Sequence, residues 1–148
     1  MRVSEAMTTK VQIASPDQSL QEAAKIMAKI DAGILPVGEN DRLVGMITDR
    51  DIAIRGVAEG LKPEAKVREV MSKEVKYCFE DDDLDDIAHN MADIKVRRLP
   101  VLSHDKRLVG IVSLGDIAMA DGPDRAGEAI CGISEPGGAH SQKTDGGR

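Results

Sequence analysis

Aromatic residues are nearly missing from this 148-residue chain: Tyr77 and Phe79 are the only two, and there is no tryptophan. The interior must therefore be built from Val, Ile, Leu, Met and Ala, and a base-stacking platform for single-stranded nucleic acid is excluded. Two cysteines, Cys78 and Cys131, are too few and too far apart for a disulfide framework or a zinc site. Cys78 lies between Tyr77 and Phe79 in an apolar run and reads as a buried, inert thiol. No apolar stretch approaches the roughly 20 residues needed to cross a bilayer, and MRVSEAMTTK at the start lacks the apolar core of a signal peptide, so a cytoplasmic protein is expected. Positive charge is in deficit, 20 Lys and Arg against 26 Asp and Glu for a net −6. That balance argues against nucleic acid as a partner, and any anion must be caught by a local site.

Catalytic signatures are missing as well. There is no G-x-x-x-x-G-K-[ST] loop, no G-x-G-x-x-G turn, no H-E-x-x-H, and no visible nucleophile–base pair or carboxylate dyad. His89, His104 and His140 have no partner at ligand spacing, and the acidic run EDDDLDD (80–86) lacks the alternation and glycine of a calcium loop. The expectation is a chain that is not an enzyme and carries no metal and no resident cofactor.

What is present is a repeat. VSEAMTTKV (3–11) matches VREVMSKEV (67–75) and ILPV (34–37) matches RLPV (98–101), both at an offset of 64. RLVG (42–45) then meets RLVG (107–110) at an offset of 65, so one residue has been added in the connecting turn. Matches held in register with a slip only in a loop indicate two copies of one unit.

Each copy opens with an extended segment, VQIA (11–14) or VKYCF (75–79). Ser19 with Glu22, or Asp83 with Asp86, then supplies a capping-box pattern. A helical stripe follows: Leu20, Ala24, Met27, Ile30 in the first copy and Leu84, Ala88, Met91, Ile94 in the second. Two short apolar runs joined by GENDR or SHDKR read as a hairpin, and a second helix starts at a hydroxyl residue, in TDRDIAIRGVAEG or SLGDIAMADG. The expected fold is α/β (α+β): two β-α-β-β-α repeats, residues 1–60 and 61–122, packed sheet to sheet as one pseudo-symmetric globule. EGLKPEAK (59–66) connects them, and the Gly/Ser-rich remainder, 123–148, is expected to be a disordered tail, or one tied down only through Ile130 and Ile133.

DAGILPVGENDRLVGMITDRDI and KVRRLPVLSHDKRLVGIVSLGDI resemble the two halves of a tandem CBS-domain pair, the module named after cystathionine β-synthase. The resemblance covers residues 1 to about 120 and involves the same ordered features twice. It implies clefts between repeats that bind adenine nucleotides (AMP, ADP or ATP), frequent pairing into homodimers, and regulation rather than catalysis. With no effector domain fused, the output is expected to be an unknown partner protein or self-association. A ligand-independent dimerisation scaffold and a sensor of another adenosyl compound, NAD or S-adenosylmethionine, remain alternatives.

Thr48 with Asp51, and Ser113 with Asp116, have two readings. As a helix cap the pair contributes about 0.5–2 kcal/mol. As a ligand site, the helix start and the hydroxyl meet a phosphate while the aspartate accepts from ribose hydroxyls; the family resemblance implies this second use. The copies differ around the motif. Arg97 and Arg98 precede the LPV strand of the second copy, where the first has Gly33 and Ile34, and they either reach a phosphate or pair with EDDDLDD. Arg50 stands inside TDRD, where the second copy has Leu114 and Gly115, and either bends over its own phosphate or lies on the surface; with phosphate recognition divided between Arg50 and Arg97/Arg98, the two sites should not be equivalent. The apolar slot for the base is assigned to Val11–Ile13 with Ile34–Leu35 and to Val75–Tyr77 with Leu99.

Overall fold

The computed structural model describes residues 1–134, the side chains of Asp121 and Arg125 excepted. It is a mixed α/β protein whose elements run α1 (Leu20–Ile30), β1 (Ile34–Glu39), β2 (Arg42–Thr48), α2 (Asp49–Asp51), β3 (Cys78–Phe79), α3 (Leu84–Ile94), β4 (Arg98–Leu102), β5 (Leu108–Ser113), α4 (Leu114–Asp121) and α5 (Pro123–Ser134). Two compact units result, and they do not follow the linear order of the repeats. The first comprises Lys10–Tyr77 with Leu102–Val109; the second comprises Met1–Thr9, Cys78–Val101 and the described chain from Gly110 to Ser134.

In the first unit β1 and β2 form an antiparallel hairpin with Leu35 opposite Ile47 and Val37 opposite Gly45. Its turn holds Asn40 and Asp41 at φ 55° and 63°, the left-handed pair that a two-residue hairpin turn needs. The core gathers Leu20, Ala23 and Met27 of α1 with Leu35, Val37, Ile47, Val67 and Val70. Ser72 exchanges both backbone bonds with Met46, at 2.8 and 3.0 Å. Gly45 permits that approach, because a Cβ there would lie 2.8 Å from the Ser72 carbonyl oxygen.

The second unit repeats the device. Thr8 and Ile111 exchange backbone bonds at 2.8 and 2.9 Å, and a Cβ on Gly110 would lie 2.8 Å from the Thr8 carbonyl oxygen. Its sheet has the order β3-β4-β5, and its buried side chains include Val3, Leu84, Met91, Leu99, Val101, Val112 and Ile117.

Several expectations change. The segment 11–14 is no strand beyond one parallel bridge from Ala14 to Val37, and 75–79 is reduced to Cys78–Phe79. Ala14 bonds to the Pro36 carbonyl and the Gly38 N–H, both at 2.9 Å; extending the ladder upstream requires an N–H that Pro36 lacks. The buried stripe of α1 is Leu20, Ala23 and Met27, leaving Ala24 and Ile30 exposed, and Ile87 joins Leu84, Ala88 and Met91 in α3. The box Ser19–Glu22 forms, whereas Asp83 caps α3 by accepting from Asp85 N–H. After β2 the chain makes one α-turn, widens into a π-turn over Ile52–Gly56 and tightens at Val57–Glu59, ending on Gly60 at φ 83°.

The tail expectation fails over residues 123–134, which form α5, starting at Pro123, and pack on α3 and α4. The buried contacts come from Ala126 and Ala129, not from Ile130, which is 44% exposed. The helices approach so closely that a Cβ on Gly132 would strike that of Ala92 at 2.7 Å, so small residues bind this helix and leave a weak apolar pattern. The rest of that tail, 135–148, lies outside the described residues.

Candidate functional site

Both hydroxyl–aspartate pairs cap the chain leaving a hairpin. Thr48 Oγ1 accepts from Asp51 N–H at 2.9 Å, while Asp51 Oδ2 accepts from Thr48 N–H at 2.9 Å. Ser113 and Asp116 make the same two bonds at 3.1 and 2.9 Å. All four residues are half-buried. Each box uses the hydroxyl as an acceptor and one carboxylate oxygen. The hydroxyl proton remains available for donation, and the second carboxylate oxygen can still accept. In Asp51 that oxygen lies 3.9 Å from Arg55; for Asp116 no other partner occurs among the described residues.

The surroundings of the two boxes differ. Asp49 N–H donates to the Gly33 carbonyl at 2.8 Å and the Asp49 carboxylate folds over Gly33, within 2.7 Å of where a Cβ would sit. At the equivalent point Leu114 N–H donates to the Arg97 carbonyl at 3.1 Å. The first box is therefore flanked by a carboxylate over a bare glycine, and the second by an apolar side chain beside two arginines. Arg97 and Arg98 are exposed and, among the described residues, make no ion pair with the acidic run or with any other group. Arg50 is exposed, its N–H held by Asp49 Oδ1 at 2.8 Å.

The base-slot residues are more scattered. Val11 and Ile34 are half-buried in the first unit, Leu99 is buried in the second, and Tyr77 is 38% exposed. Tyr77 lines a pocket of about 320 Å³ in the first unit with Arg42, Leu43, Lys73, Val75, Leu102 and Lys106. No sequence pattern signalled this pocket, because its basic residues come from a strand start, a loop and a turn. Cys78 is buried, and burial pushes its thiol up to about 12. The acidic face of α3, with Asp82, Asp83, Asp86, His89, Asn90 and Asp93, lines a separate open recess. Among the described residues no three His, Cys, Asp or Glu side chains are placed to hold a metal ion, and no helix is long and apolar enough to cross a membrane.

Two hairpins, each followed by a reciprocally boxed helix start, define a tandem module. The CBS domain model matches residues 3–56 and 67–122, and the chain belongs to the CBS-domain family. It is 43% identical over 133 residues to the CBS domain-containing protein YhcV of Bacillus subtilis, covering 89% of this chain and 94% of that one. Hypoxic response protein 1 of Mycobacterium tuberculosis is 40% identical over 114 residues, 76% of this chain and 79% of that one. A crystal structure titled Hypoxic Response Protein I, with two coordinated zinc ions, superposes with a TM-score of 0.74 at 38% identity over 81% of this chain and 98% of that one. A CBS domain pair in complex with 5′-methylthioadenosine and S-adenosyl-L-methionine superposes with a TM-score of 0.72 at 31% identity, covering 83% and 97%.

Proposed function

We propose that this chain is a non-catalytic regulatory module of the cytoplasm that binds an adenine nucleotide, AMP, ADP or ATP, at its boxed helix starts. It passes the nucleotide level on by associating with a second copy of itself or with an effector protein. The observation supporting this reading is the box itself: Ser113 and Asp116 order the start of α4 with two bonds and keep a hydroxyl proton and a carboxylate oxygen for a ligand. Phosphate suits the Ser113 side, where Arg97 and Arg98 bring unpaired guanidinium groups. Ile34 and Val11 in the first unit, or Leu99 in the second, supply the apolar surroundings for the base.

A second reading applies to the Thr48 side. Asp49 adds a second carboxylate beside that of Asp51, which Arg55 approaches at 3.9 Å, so this side is less cationic than the Ser113 side and suits an adenosyl group with a neutral or cationic 5′ substituent. A relative crystallised with 5′-methylthioadenosine and S-adenosyl-L-methionine supports that alternative. Calorimetry with AMP, ADP, ATP, NAD, 5′-methylthioadenosine and S-adenosylmethionine on wild type, Asp51→Ala and Asp116→Ala separates them. Nucleotide binding lost in Asp116→Ala supports the proposal. Absence of any heat at millimolar ligand, with a melting temperature indifferent to all six compounds, leaves a ligand-independent dimerisation scaffold.

A further inference from the structure

The pocket around Tyr77 lies at the opposite end of β2 from the boxed helix start. Arg42 opens the strand and Thr48 closes it, so roughly 20 Å of extended chain separates the two. Its wall has two characters. Leu43, Val75, Leu102 and the Tyr77 ring form an apolar lining, while Arg42, Lys73 and Lys106 bring three cations and, among the described residues, no carboxylate lines the cavity. In a chain of net charge −6 such a concentration of positive charge is unexpected.

The local ion pairs explain why those cations stay available. Arg107 takes the nearby acids: its guanidinium lies 3.0 Å from Asp41 and 3.5 Å from Asp105. Asp105 also accepts from the Ser103 hydroxyl. Arg42 spends one N–H on the Asp105 carbonyl at 3.0 Å, which anchors it without neutralising it. Lys106 lies 6.0 Å from the centre of the Tyr77 ring, a cation–π distance that likewise leaves its charge in place. Among the described residues Lys73 has no acidic partner.

We propose that this pocket is a second small-molecule site, separate from the boxed helix starts, which takes a phosphate monoester carrying an apolar body. The phosphate sits among Arg42, Lys73 and Lys106, and the body packs on Leu43, Val75, Leu102 and Tyr77. Its volume of about 320 Å³ fits a ligand of that size. A free inorganic phosphate leaves the apolar wall wet, and a neutral apolar molecule leaves the cations unmatched, so both bind more weakly.

Tyr77 is the chain's one tyrosine and there is no tryptophan, so intrinsic emission reports on this pocket alone. The full-length protein is titrated with cyclohexyl phosphate, which is transparent at the excitation wavelength, and in parallel with inorganic phosphate and with cyclohexanol. The expected result is a saturable change in Tyr77 emission with cyclohexyl phosphate, roughly tenfold weaker with either fragment. Binding is lost in Lys73→Gln/Lys106→Gln, which keeps the stems of two exposed side chains, and is unchanged in Asp51→Ala/Asp116→Ala. No saturable change, or full binding by the glutamine variant, overturns the proposal. Loss of binding in the double aspartate variant overturns it too, by moving the ligand to the helix starts.

Discussion

Replacing Asp116 by asparagine separates the capping role of the boxed helix start from the ligand-binding role proposed for it. In the box, Asp116 Oδ2 accepts from Ser113 N–H at 2.9 Å and the Asp116 N–H donates to Ser113 Oγ at 3.1 Å. The asparagine side-chain oxygen accepts the first bond just as well, and the second does not involve the side chain of residue 116. Asp116→Asn should therefore stay within about 0.5 kcal/mol of wild type, whereas Asp116→Ala loses the reciprocal bond and about 1 kcal/mol. In urea that is a midpoint shift of roughly 0.5 M for alanine and little for asparagine.

A nucleotide responds differently. Ribose hydroxyls donating to a half-buried carboxylate make charge-assisted bonds worth roughly 1.5–3 kcal/mol, and asparagine offers no charge and directs an amide N–H at the same place. AMP affinity measured by calorimetry should fall by about tenfold or more in both variants. The decisive pattern is asparagine behaving like wild type in urea and like alanine in calorimetry. If asparagine loses stability as alanine does while AMP binds both as tightly as wild type, the residue is a cap and nothing else.

Four further outcomes follow from the packing. Gly45→Ala and Gly110→Ala should each lower stability by about 1–3 kcal/mol in urea titration, because the Cβ meets a backbone carbonyl at 2.8 Å that cannot swing away. Gly33→Ala, by contrast, should cost under about 1 kcal/mol, since the atom it meets is the far end of the exposed Asp49 side chain, which can turn aside at the expense of its bond to Arg50 N–H. Cys78 should resist a thiol reagent at neutral pH in the folded protein, where burial holds its thiol near 12 against an ordinary 9.0, while exposed Cys131 reacts. Because the folded form keeps that proton longer than the unfolded one, stability should decline as pH rises above about 9, and Cys78→Ala should flatten the decline.

Much of the local structure was legible because it depends on residues a few positions apart. The boxes at Ser19, Thr48 and Ser113 formed where the hydroxyl and acid stood three apart, since both partners are delivered by the helix geometry itself. The hairpins followed from apolar runs around Asn40–Asp41 and around the longer turn in which Lys106 takes φ 64°. The box at Asp83 did not form as read, because a short aspartate reaches the N–H of Asp85 more readily than it waits for Asp86. The extended segments 11–14 and 75–79 pair over less of their length than strand propensity favours, because the proline in each LPV strand takes away the donor a longer ladder needs.

The sequence by itself determined that one unit is written twice, that each copy carries a hairpin and a boxed helix start, and that the two starts carry different basic residues. These depend on patterns of residue type at short spacing, which the chain states directly. Only the tertiary structure decided that Met1–Thr9 belongs with the second repeat's sheet and Lys62–Tyr77 with the first repeat's hairpin, that alanine and glycine dock α5, and that Tyr77 faces three cations. The physical reason is that those choices are made by backbone groups every residue shares, by small side chains with weak hydropathy, and by charges brought together from distant positions in the chain.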